Sequence, residues 1–347
     1  MGKAHSRALR DLRHLAVPLR PELVSISGRN RESLEQAREL WGWAEATTDW
    51  REQVADERVG LFVNAGPNAL HFEPTAAAAR ARKHVLCEKP LGLTAAESYE
   101  LWQEVERAGV VHLCGFNYRF VPAVRLAREL IEAGDLGEVV HFRARYLQSW
   151  GWDPDPALWR FDRAEAGTGA LGDLGTHVID LARYLVGEIA SVSASVRAVV
   201  PGREVDDHFV ATIEFDDGVL GTLEASRLAR GRINSNVFEV NGSRGSVAFD
   251  LERLNELEVS EAGSFRRVLV TEPEHPFMRF WWPPGHIIGW GETFVHEYAH
   301  LLEAIAGEHD VAPHGATFED GYRCSEVVAA ILRSADNGRR EEVEYRS

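Results

Sequence analysis

The sequence lacks a long apolar run, since no stretch approaches the roughly 20 consecutive apolar residues of a membrane-spanning helix. It also lacks the apolar centre of a secretory signal, because Arg7, Arg10, Arg13 and Arg20 interrupt its opening segment. These two absences argue against a spanning helix and against export. They predict a cytoplasmic location.

Cysteine is scarce: Cys87, Cys114 and Cys324 are the only three, odd in number and far apart. Disulfide frameworks normally pair an even number of cysteines in an oxidising compartment. We therefore expect reduced thiols inside a cell. Cys87 adjoins a charged motif, but free cysteine is usually buried, so we interpret it as packing inside a strand.

Positive charge is in deficit, with 38 Lys and Arg against 54 Asp and Glu and a formal net charge of -16. Such a chain repels nucleic acid and anionic membrane surfaces, and no basic run interrupts the acidic background. We expect no nucleic-acid partner and no membrane partner.

The first third of the chain alternates short apolar segments with amphipathic ones. This alternation predicts a parallel sheet with right-handed crossovers, which is a Rossmann-like α/β domain. The predicted strands are residues 22–27, 59–64, 84–87 and 110–115, and the predicted helices are residues 4–15, 32–41, 74–81 and 95–108.

The pattern changes near residue 138, where strands follow one another directly. Consecutive strands predict a mainly antiparallel sheet, so the second part is α+β. The length and the 45% hydrophobic content also favour two domains, which we place at 1–117 and 118–347. The predicted strands are residues 139–147, 191–200, 208–215, 219–226, 236–241 and 246–250, and closing helices are predicted at 293–305 and 318–335.

Glu88, Lys89 and Pro90 follow the predicted strand 84–87. The carboxyl ends of strands in a doubly wound sheet are where ligands bind. Lys89 at this edge can donate to a substrate hydroxyl or a ribose, with Glu88 beside it as a partner. The alternative is a solvated ion pair on a loop.

Asp173 and His177 are four residues apart near the start of a predicted helix, so they share one face. The unperturbed pKa of histidine, near 6.5, suits a general base that removes a hydroxyl proton. Asp173 can orient it or bind substrate. The alternative is an N-cap aspartate and a hydrogen-bonded core histidine.

Several motifs together resemble the glucose-fructose oxidoreductase, inositol dehydrogenase and rhizopine-catabolism family (Gfo/Idh/MocA) over nearly the whole chain. They are Gly66-Pro67-Asn68-Ala69-Leu70-His71, Glu88-Lys89-Pro90, Gly115-Phe116-Asn117-Tyr118-Arg119-Phe120, Gly137-Glu138, the stretch from Gly172 to Asp180, and Trp281-Trp282-Pro283-Pro284-Gly285-His286. The resemblance implies an NAD(P)-dependent oxidoreductase acting on a sugar, anhydrosugar or cyclic polyol. It also implies a homo-dimer or homo-tetramer formed through the open face of the second domain's sheet.

The resemblance implies that Lys89, Asp173 and His177 are catalytic, with His177 accepting the proton and Lys89 assisting. We expect the dinucleotide at Gly2, Ser27, Gly28, Arg29, Asn30, Ala65, Pro67, Asn68, His71, Glu88, Lys89 and Asn117. We expect substrate contacts from Arg119, Trp150, Trp159, Arg160, Asp173, His177 and Trp282, whose aromatic rings can also serve in core or interface packing.

The N-terminus departs from the family pattern. Members begin with a strand and Gly-x-Gly-x-x-Gly, whose glycines allow close approach of the pyrophosphate to a helix N-terminus. Here Gly2 matches the third glycine, while the first strand and the first two glycines are missing. We interpret this as a start set too late rather than a real truncation, because a parallel sheet without a central strand exposes apolar edges.

The segment after the predicted strand 22–27 is expected to select the cofactor. An acidic residue normally binds the ribose hydroxyls of NAD there, but this chain has Ser27, Gly28, Arg29 and Asn30. Arg29 can hold a 2'-phosphate, which favours NADP over NAD slightly. Asn30 can instead bind a free ribose.

A competing motif is His296-Glu297-Tyr298-Ala299-His300, which spells the zinc-protease pattern His-Glu-x-x-His on a predicted helix. A metallopeptidase leaves Lys89, Asp173 and His177 unexplained, so we favour an amphipathic core helix and expect no metal. A noncatalytic sugar-binding or regulatory homologue is the remaining alternative.

Overall fold

A computed structural model describes residues 1–152 and 158–346, and these residues form two compact units. The first unit contains Met1–Gly92, Ala96–Phe120 and Trp290–Tyr322, and the second contains the described residues of Leu93–Ala95, Val121–Gly289 and Arg323–Ser347. The division at residue 117 stays a prediction. In the described ranges, no helix is both long and apolar enough to cross a membrane.

The first unit has the expected alternation of strands and helices. Its strands pair in parallel, and Val85, Leu86 and Cys87 at its centre are fully buried. Its elements up to residue 108 are α1 Gly2–Asp11, β1 Ser25–Ser27, α2 Arg31–Trp41, β2 Glu45–Thr47, α3 Trp50–Ala55, β3 Leu61–Asn64, α4 Phe72–Arg80, β4 His84–Cys87 and α5 Ala95–Ala108. β5 His112–Cys114 completes the strands of this unit.

The parallel sheet of this unit is in two pieces. β1 pairs with β2, and β4 pairs with both β3 and β5, but no pairing joins β1 to β3 among the described residues. A cavity of about 390 Å³ lies along both edges and is lined by residues 19–25 and 59–63, with Leu302 and Ile305 among the other lining residues.

The second unit is built on a nine-stranded sheet in the order β13-β12-β11-β10-β6-β9-β8-β7-β14, in which only the β6–β9 pair is parallel. The predicted combination of a Rossmann-like domain with a mainly antiparallel α+β domain is therefore confirmed. The strands are β6 Val139–Leu147, β7 Ile189–Arg197, β8 His208–Phe215, β9 Leu220–Ser226, β10 Ser235–Gly242, β11 Ser246–Asp250, β12 Glu256–Ser260, β13 Arg266–Leu269 and β14 Glu341–Glu342.

One face of this sheet is covered by helices. Phe142, Ala144 and Tyr146 of β6 are buried on that face, whereas Arg143 and Arg145 between them are exposed. The helices that begin in this unit are α6 Pro122–Glu132, α7 Arg163–Ala166 and α8 Thr176–Leu185, of which α6 and α8 contact the sheet. α9 Glu292–Ile305 lies in the first unit, and α10 Phe318–Asn337 has residues in both.

The sequence pattern missed several of these elements. β2 and α3 are short and carry few apolar residues, so they show no clear period. α6 and the strands β12 and β13 were also not predicted. The predicted strand 22–27 is shorter in the structure. Residues 22–24 adopt no regular structure, and β1 begins at Ser25.

A loop before α8 depends on a glycine. The N–H groups of Gly169 and Leu171 donate to the Asp206 carboxylate at 2.6 and 2.7 Å, and Ala170 N donates to the Asp206 backbone oxygen at 2.9 Å. A Cβ added at Gly169 would overlap that backbone oxygen. Only glycine allows the two backbones to approach so closely.

We expect Gly169→Ala to destabilise the protein by about 1 to 3 kcal/mol, since overpacking against backbone forces a shift. The control is Gly60→Ala, whose added Cβ meets nothing within 4 Å. Urea unfolding followed by circular dichroism measures both variants. Equal unfolding midpoints for the two would contradict this account of the loop.

Candidate active site

A first candidate cluster, within the first unit, lies at the carboxyl end of β4. Glu88 is 3% exposed, and its Oε1 lies 2.9 Å from Nε2 of His5 on α1. A carboxylate only accepts hydrogen bonds, so His5 donates here. Nδ1 of the same ring lies 2.9 Å from the Tyr298 hydroxyl on α9. This chain of contacts fixes the residue that precedes Lys89.

The Glu88 carboxylate remains ionised despite its burial. Burial alone would raise its pKa, but the hydrogen bond and charge of His5, together with the charge of Lys89, bring the pKa of Glu88 below its ordinary value. The negative charge therefore sits beside Lys89, which is half-buried. A lysine ammonium is a hydrogen-bond donor only, so Lys89 can donate to an oxygen of a bound ligand.

Buried side chains order the loop after β3. Asn64 Nδ2 donates to the Leu70 oxygen at 2.8 Å, and its Oδ1 accepts from Gly66 N at 3.2 Å. The His71 ring lies 2.7 Å from the Pro90 oxygen and 3.1 Å from the Gly66 oxygen. The loop that carries Ala65, Pro67 and Asn68 is thereby tied to the turn that carries Lys89.

The loop after β5 brings Asn117 to the same edge of the sheet. Asn117 is 4% exposed and donates to Thr293 Oγ1 at 2.9 Å. Gly115 approaches Glu88 so closely that a Cβ there would lie 3.2 Å from the Glu88 Cα. The predicted cofactor residues of β3, β4 and β5 therefore lie at adjacent strand ends, the edge where such sheets bind ligands.

These residues fit a dinucleotide. Helix α1 has no side-chain cap and no acidic residue in its first turn, so the partial positive charge of its N-terminus is available to a phosphate. Gly2 lies in that turn, where an added Cβ meets nothing within 4 Å. A pyrophosphate would lie there and the nicotinamide would lie near Lys89 and Asn117.

The segment after β1 contains the predicted cofactor-selecting residues. Asn30 Oδ1 accepts from Ser33 N at 2.9 Å and caps α2, so its amide oxygen already has a local structural role. Arg29 is exposed. Ser27 ends β1, and Gly28 follows it. A contact of Arg29 with a ribose phosphate stays a prediction.

Arg119 is a buried side chain of the first unit. It is 2% exposed, and its guanidinium donates to Asp320 at 3.2 Å and to the Gly315 oxygen at 3.4 Å. These contacts give Arg119 a structural role in the first unit. Its contact with substrate stays a prediction.

A second candidate cluster, within the second unit, is a π-helical turn, Leu171–Gly175, that leads into α8. Such turns are rare and occur frequently at functional sites. Asp173 lies in this turn and His177 lies in the first turn of α8. The sequence predicted one continuous α-helix here. Because Asp173 lies in a π-helical turn instead, its spacing from His177 differs from that within an α-helix. A Cβ at Gly175 would come within 2.6 Å of the Phe209 ring.

Arg227 supports the Asp173 carboxylate. The fully buried guanidinium of Arg227 donates to Asp173 Oδ2 at 2.9 Å and lies over the Trp150 ring at 4.9 Å. The Nε of Arg160 lies 4.0 Å from the same oxygen. Sequence analysis missed Arg227, because an arginine within a strand-rich segment carries no motif. Its burial is what distinguishes it.

The remaining predicted substrate residues lie in the second unit. His177 is 7% exposed and the Tyr146 ring meets it edge-on at 5.8 Å. Trp150 is half-buried against Phe161, and Trp159 stacks with Arg160. Trp282 is 62% exposed. Trp150, Arg160, Asp173 and His177 therefore belong to one connected layer, whereas Trp282 is a separate exposed ring.

The His-Glu-x-x-His motif does not form a zinc-protease site. His296 is fully buried, with Nδ1 2.9 Å from the Phe120 oxygen. Burial and the nearby Glu88 charge raise the pKa of Glu297 well above its ordinary value. A neutral, fully buried carboxyl cannot serve as the general base that such a protease needs. The core-helix interpretation accounts for these observations.

Comparisons with known proteins agree with this geometry. Residues 1–116 match the family described as "Oxidoreductase family, NAD-binding Rossmann fold", and residues 124–248 match the GFO/IDH/MocA C-terminal domain. Levoglucosan dehydrogenase of Pseudarthrobacter phenanthrenivorans is 39% identical, covering 96% of this chain and 93% of the relative. Myo-inositol 2-dehydrogenase of Thermotoga maritima is 30% identical over 66% of this chain and 67% of the relative.

A solved structure of levoglucosan dehydrogenase in complex with NADH and levoglucosan is similar throughout. It superposes with a TM-score of 0.95 at 40% identity, covering 99% of this chain and 96% of that one. The expected family resemblance is confirmed by these matches.

We expect Glu297→Gln to raise the free energy of unfolding near neutral pH by about 1.4 kcal/mol for each unit by which the pKa of Glu297 is raised. The folded state holds this carboxyl protonated while the unfolded state ionises it, so the wild type loses stability as pH rises above about 4.5. The amide has no such cost.

Urea unfolding at several pH values measures the difference. The gain should shrink towards zero near the ordinary carboxyl pKa of about 4.5. Exposed Glu39→Gln on α2 serves as the control. A gain that does not depend on pH would show that Glu297 is ionised in the folded protein.

Proposed function

This chain belongs to the GFO/IDH/MocA family of oxidoreductases, and we propose that it oxidises a secondary alcohol of a sugar, anhydrosugar or cyclic polyol with a nicotinamide dinucleotide. The observation that carries the proposal is the Asp173 carboxylate held by buried Arg227 on the π-helical turn that precedes His177. An acid and a histidine fixed in this way suit proton transfer from a hydroxyl group.

His177 accepts the hydroxyl proton in this proposal. Its helix is buried along its whole length, so the ring is held in place by packing. Asp173 accepts a hydrogen bond from the substrate and orients the reacting carbon. Arg227 positions the Asp173 carboxylate, because its buried guanidinium donates to Asp173 Oδ2 at 2.9 Å. The bound nicotinamide supplies the hydride acceptor.

Lys89 donates to the alcohol oxygen and polarises it. Glu88 and His5 support this role by fixing the backbone and the local charge on which the ammonium depends. Cys87 takes no part, since burial raises the pKa of its thiol. The three cysteines form no disulfide, in keeping with the cytoplasmic location that we propose.

The substrate we propose is an anhydrosugar such as levoglucosan. The similar solved protein is described in complex with NADH and levoglucosan, and another of its complexes contains L-sorbose. Trp150 and Trp159 supply rings of the kind that stack on sugar faces. Inositol is the second compound class to test, because a myo-inositol dehydrogenase is among the relatives.

We propose NAD as the cofactor, supported by the relative's NADH complex. The slight preference for NADP that Arg29 suggested rests on one exposed side chain. Asn30 is committed to capping α2. The main contribution to cofactor affinity then comes from the strand-end loops and the N-terminus of α1, which do not distinguish the two cofactors.

A second copy of this chain is the partner that we propose for the uncovered face of the nine-stranded sheet. Val210 on β8 is 48% exposed there. Charged pairs such as Arg143 on β6 with Glu239 on β10 lie on the central strands of the sheet. Interfaces between protein subunits combine apolar and charged side chains in this way.

We expect Lys89→Ala and His177→Ala each to reduce turnover by about a hundredfold or more, because each removes a proton-transfer or polarising group. His14→Ala, an exposed histidine of the first unit, should retain activity. The assay follows NADH formation with levoglucosan, inositol and other polyols. Near-normal turnover in the first two variants would refute the assignment.

If the wild type binds cofactor and sugar but turns over none of the polyols, the noncatalytic homologue becomes the better explanation. Titration with NAD and NADP, followed by tryptophan fluorescence, separates that case from failure to bind a cofactor at all.

We expect Arg29→Asp to weaken NADP binding by about tenfold or more while leaving NAD binding nearly unchanged, since an acid at this place repels a 2'-phosphate. Arg13→Asp makes the same change of charge at an exposed position of the same unit. Fluorescence titration of both variants gives the dissociation constants. Equal losses for NAD and NADP would show that Arg29 does not read the 2' position.

A further inference from the structure

The end of α9 and the loop after it bring together three metal-ligating side chains that the proposed reaction does not use. They are His300, which is 6% exposed, the partly buried Glu303, and the exposed His309. One ligand atom from each residue lies within 4.8 Å of those from the other two. All three belong to the first unit, and His300 is the second histidine of the His-Glu-x-x-His motif.

The orientation of the two imidazole rings is the second observation. His300 Nε2 lies 2.8 Å from the Val311 oxygen, and His309 Nδ1 lies 2.8 Å from the Asp310 oxygen. A carbonyl oxygen only accepts, so each of these nitrogens carries a proton. Metal-ligating histidines usually donate one ring N–H to a backbone carbonyl in this way, which fixes the tautomer and orients the ring.

The contact between His309 and Glu303 places two ligand atoms side by side. His309 Nε2 lies 3.3 Å from Glu303 Oε2. Since Nδ1 of the same ring faces the Asp310 oxygen, Nε2 is the ring nitrogen that faces the carboxylate. The stacking of the two rings, with centroids 4.4 Å apart, keeps the exposed imidazole beside the buried one.

We propose that His300, Glu303 and His309 bind one divalent transition-metal ion of the Zn²⁺ type. Two imidazoles and one carboxylate suit Zn²⁺ or Co²⁺, whereas Ca²⁺ and Mg²⁺ prefer sites made of oxygen ligands. Ligand bonds of about 2.0 to 2.2 Å require the three atoms to move closer together. The exposed His309 can make that movement, and water would complete the coordination.

The consequence is structural. His300 and Glu303 lie on α9, and His309 lies in the loop that follows it, so a bound ion joins the loop to the helix. Binding to the folded state alone stabilises a protein in proportion to the logarithm of the free metal concentration. The site is separate from the His296 and Glu297 positions of the protease-like motif, which are fully buried.

The test uses the full chain, stripped of metal by a chelator and then dialysed. Isothermal titration with Zn²⁺ measures stoichiometry and affinity, and thermal melting with and without Zn²⁺ gives an independent readout. Visible absorption with Co²⁺ reports imidazole coordination. We expect one ion per chain, a higher melting temperature with Zn²⁺, and at least about tenfold weaker binding in His309→Ala and Glu303→Gln.

His14→Ala is the matched control, because it removes an exposed histidine of the same unit away from the cluster. It should bind Zn²⁺ as the wild type does. Substoichiometric binding by the wild type, or unchanged affinity in both cluster variants, would overturn the proposal. The contact between His309 and Glu303 would then involve no metal ion. None of these readouts depends on enzyme activity.

Discussion

The buried contact between Glu88 and His5 connects three parts of the first unit. His5 lies on α1, Glu88 at the end of β4, and Tyr298 on α9, and the imidazole joins the carboxylate to the hydroxyl through contacts of 2.9 Å each. A buried anion without such a partner would be costly, so helix and strand end must meet in this arrangement. The contact thereby fixes the N-terminus of α1 beside the turn that carries Lys89. A dinucleotide bound at the ends of these strands would need the helix N-terminus and this turn together.

In the second unit, Arg227 and Asp206 hold the π-helical turn that carries Asp173. Arg227 donates to the Asp173 carboxylate, and the Asp206 carboxylate accepts from the N–H groups that lead into the turn. The lead-in can approach Asp206 because Gly169 has no side chain. Charge and backbone conformation are therefore set by two separate residues, and neither belongs to a recognisable motif.

The sequence predicted those parts of the protein that follow from local pattern. Apolar β4 and β6 were placed with correct bounds because a run or an alternation of apolar residues marks them. The Lys89 and His177 positions followed from motifs. Arg227, Asp206 and His5 were missed, since their importance comes from burial against residues far along the chain. The ion pair between Arg119 and Asp320 was also missed, because the two residues are far apart in the chain.

Glu88 and Glu297 show why a motif alone does not define chemistry. Both carboxyl groups are buried in the first unit, and the charge of Glu88 contributes to the raised pKa of Glu297. Glu88 has a histidine donor and a neighbouring lysine, so its pKa is lowered despite burial. Glu297 has no hydrogen-bond partner among the described residues, so burial dominates and raises its pKa. Two buried anions near each other repel, and Glu88, which has hydrogen-bond partners, keeps the charge. The glutamate of the protease-like motif is thus the neutral member of the pair, and it lowers the cost of keeping Glu88 ionised beside Lys89.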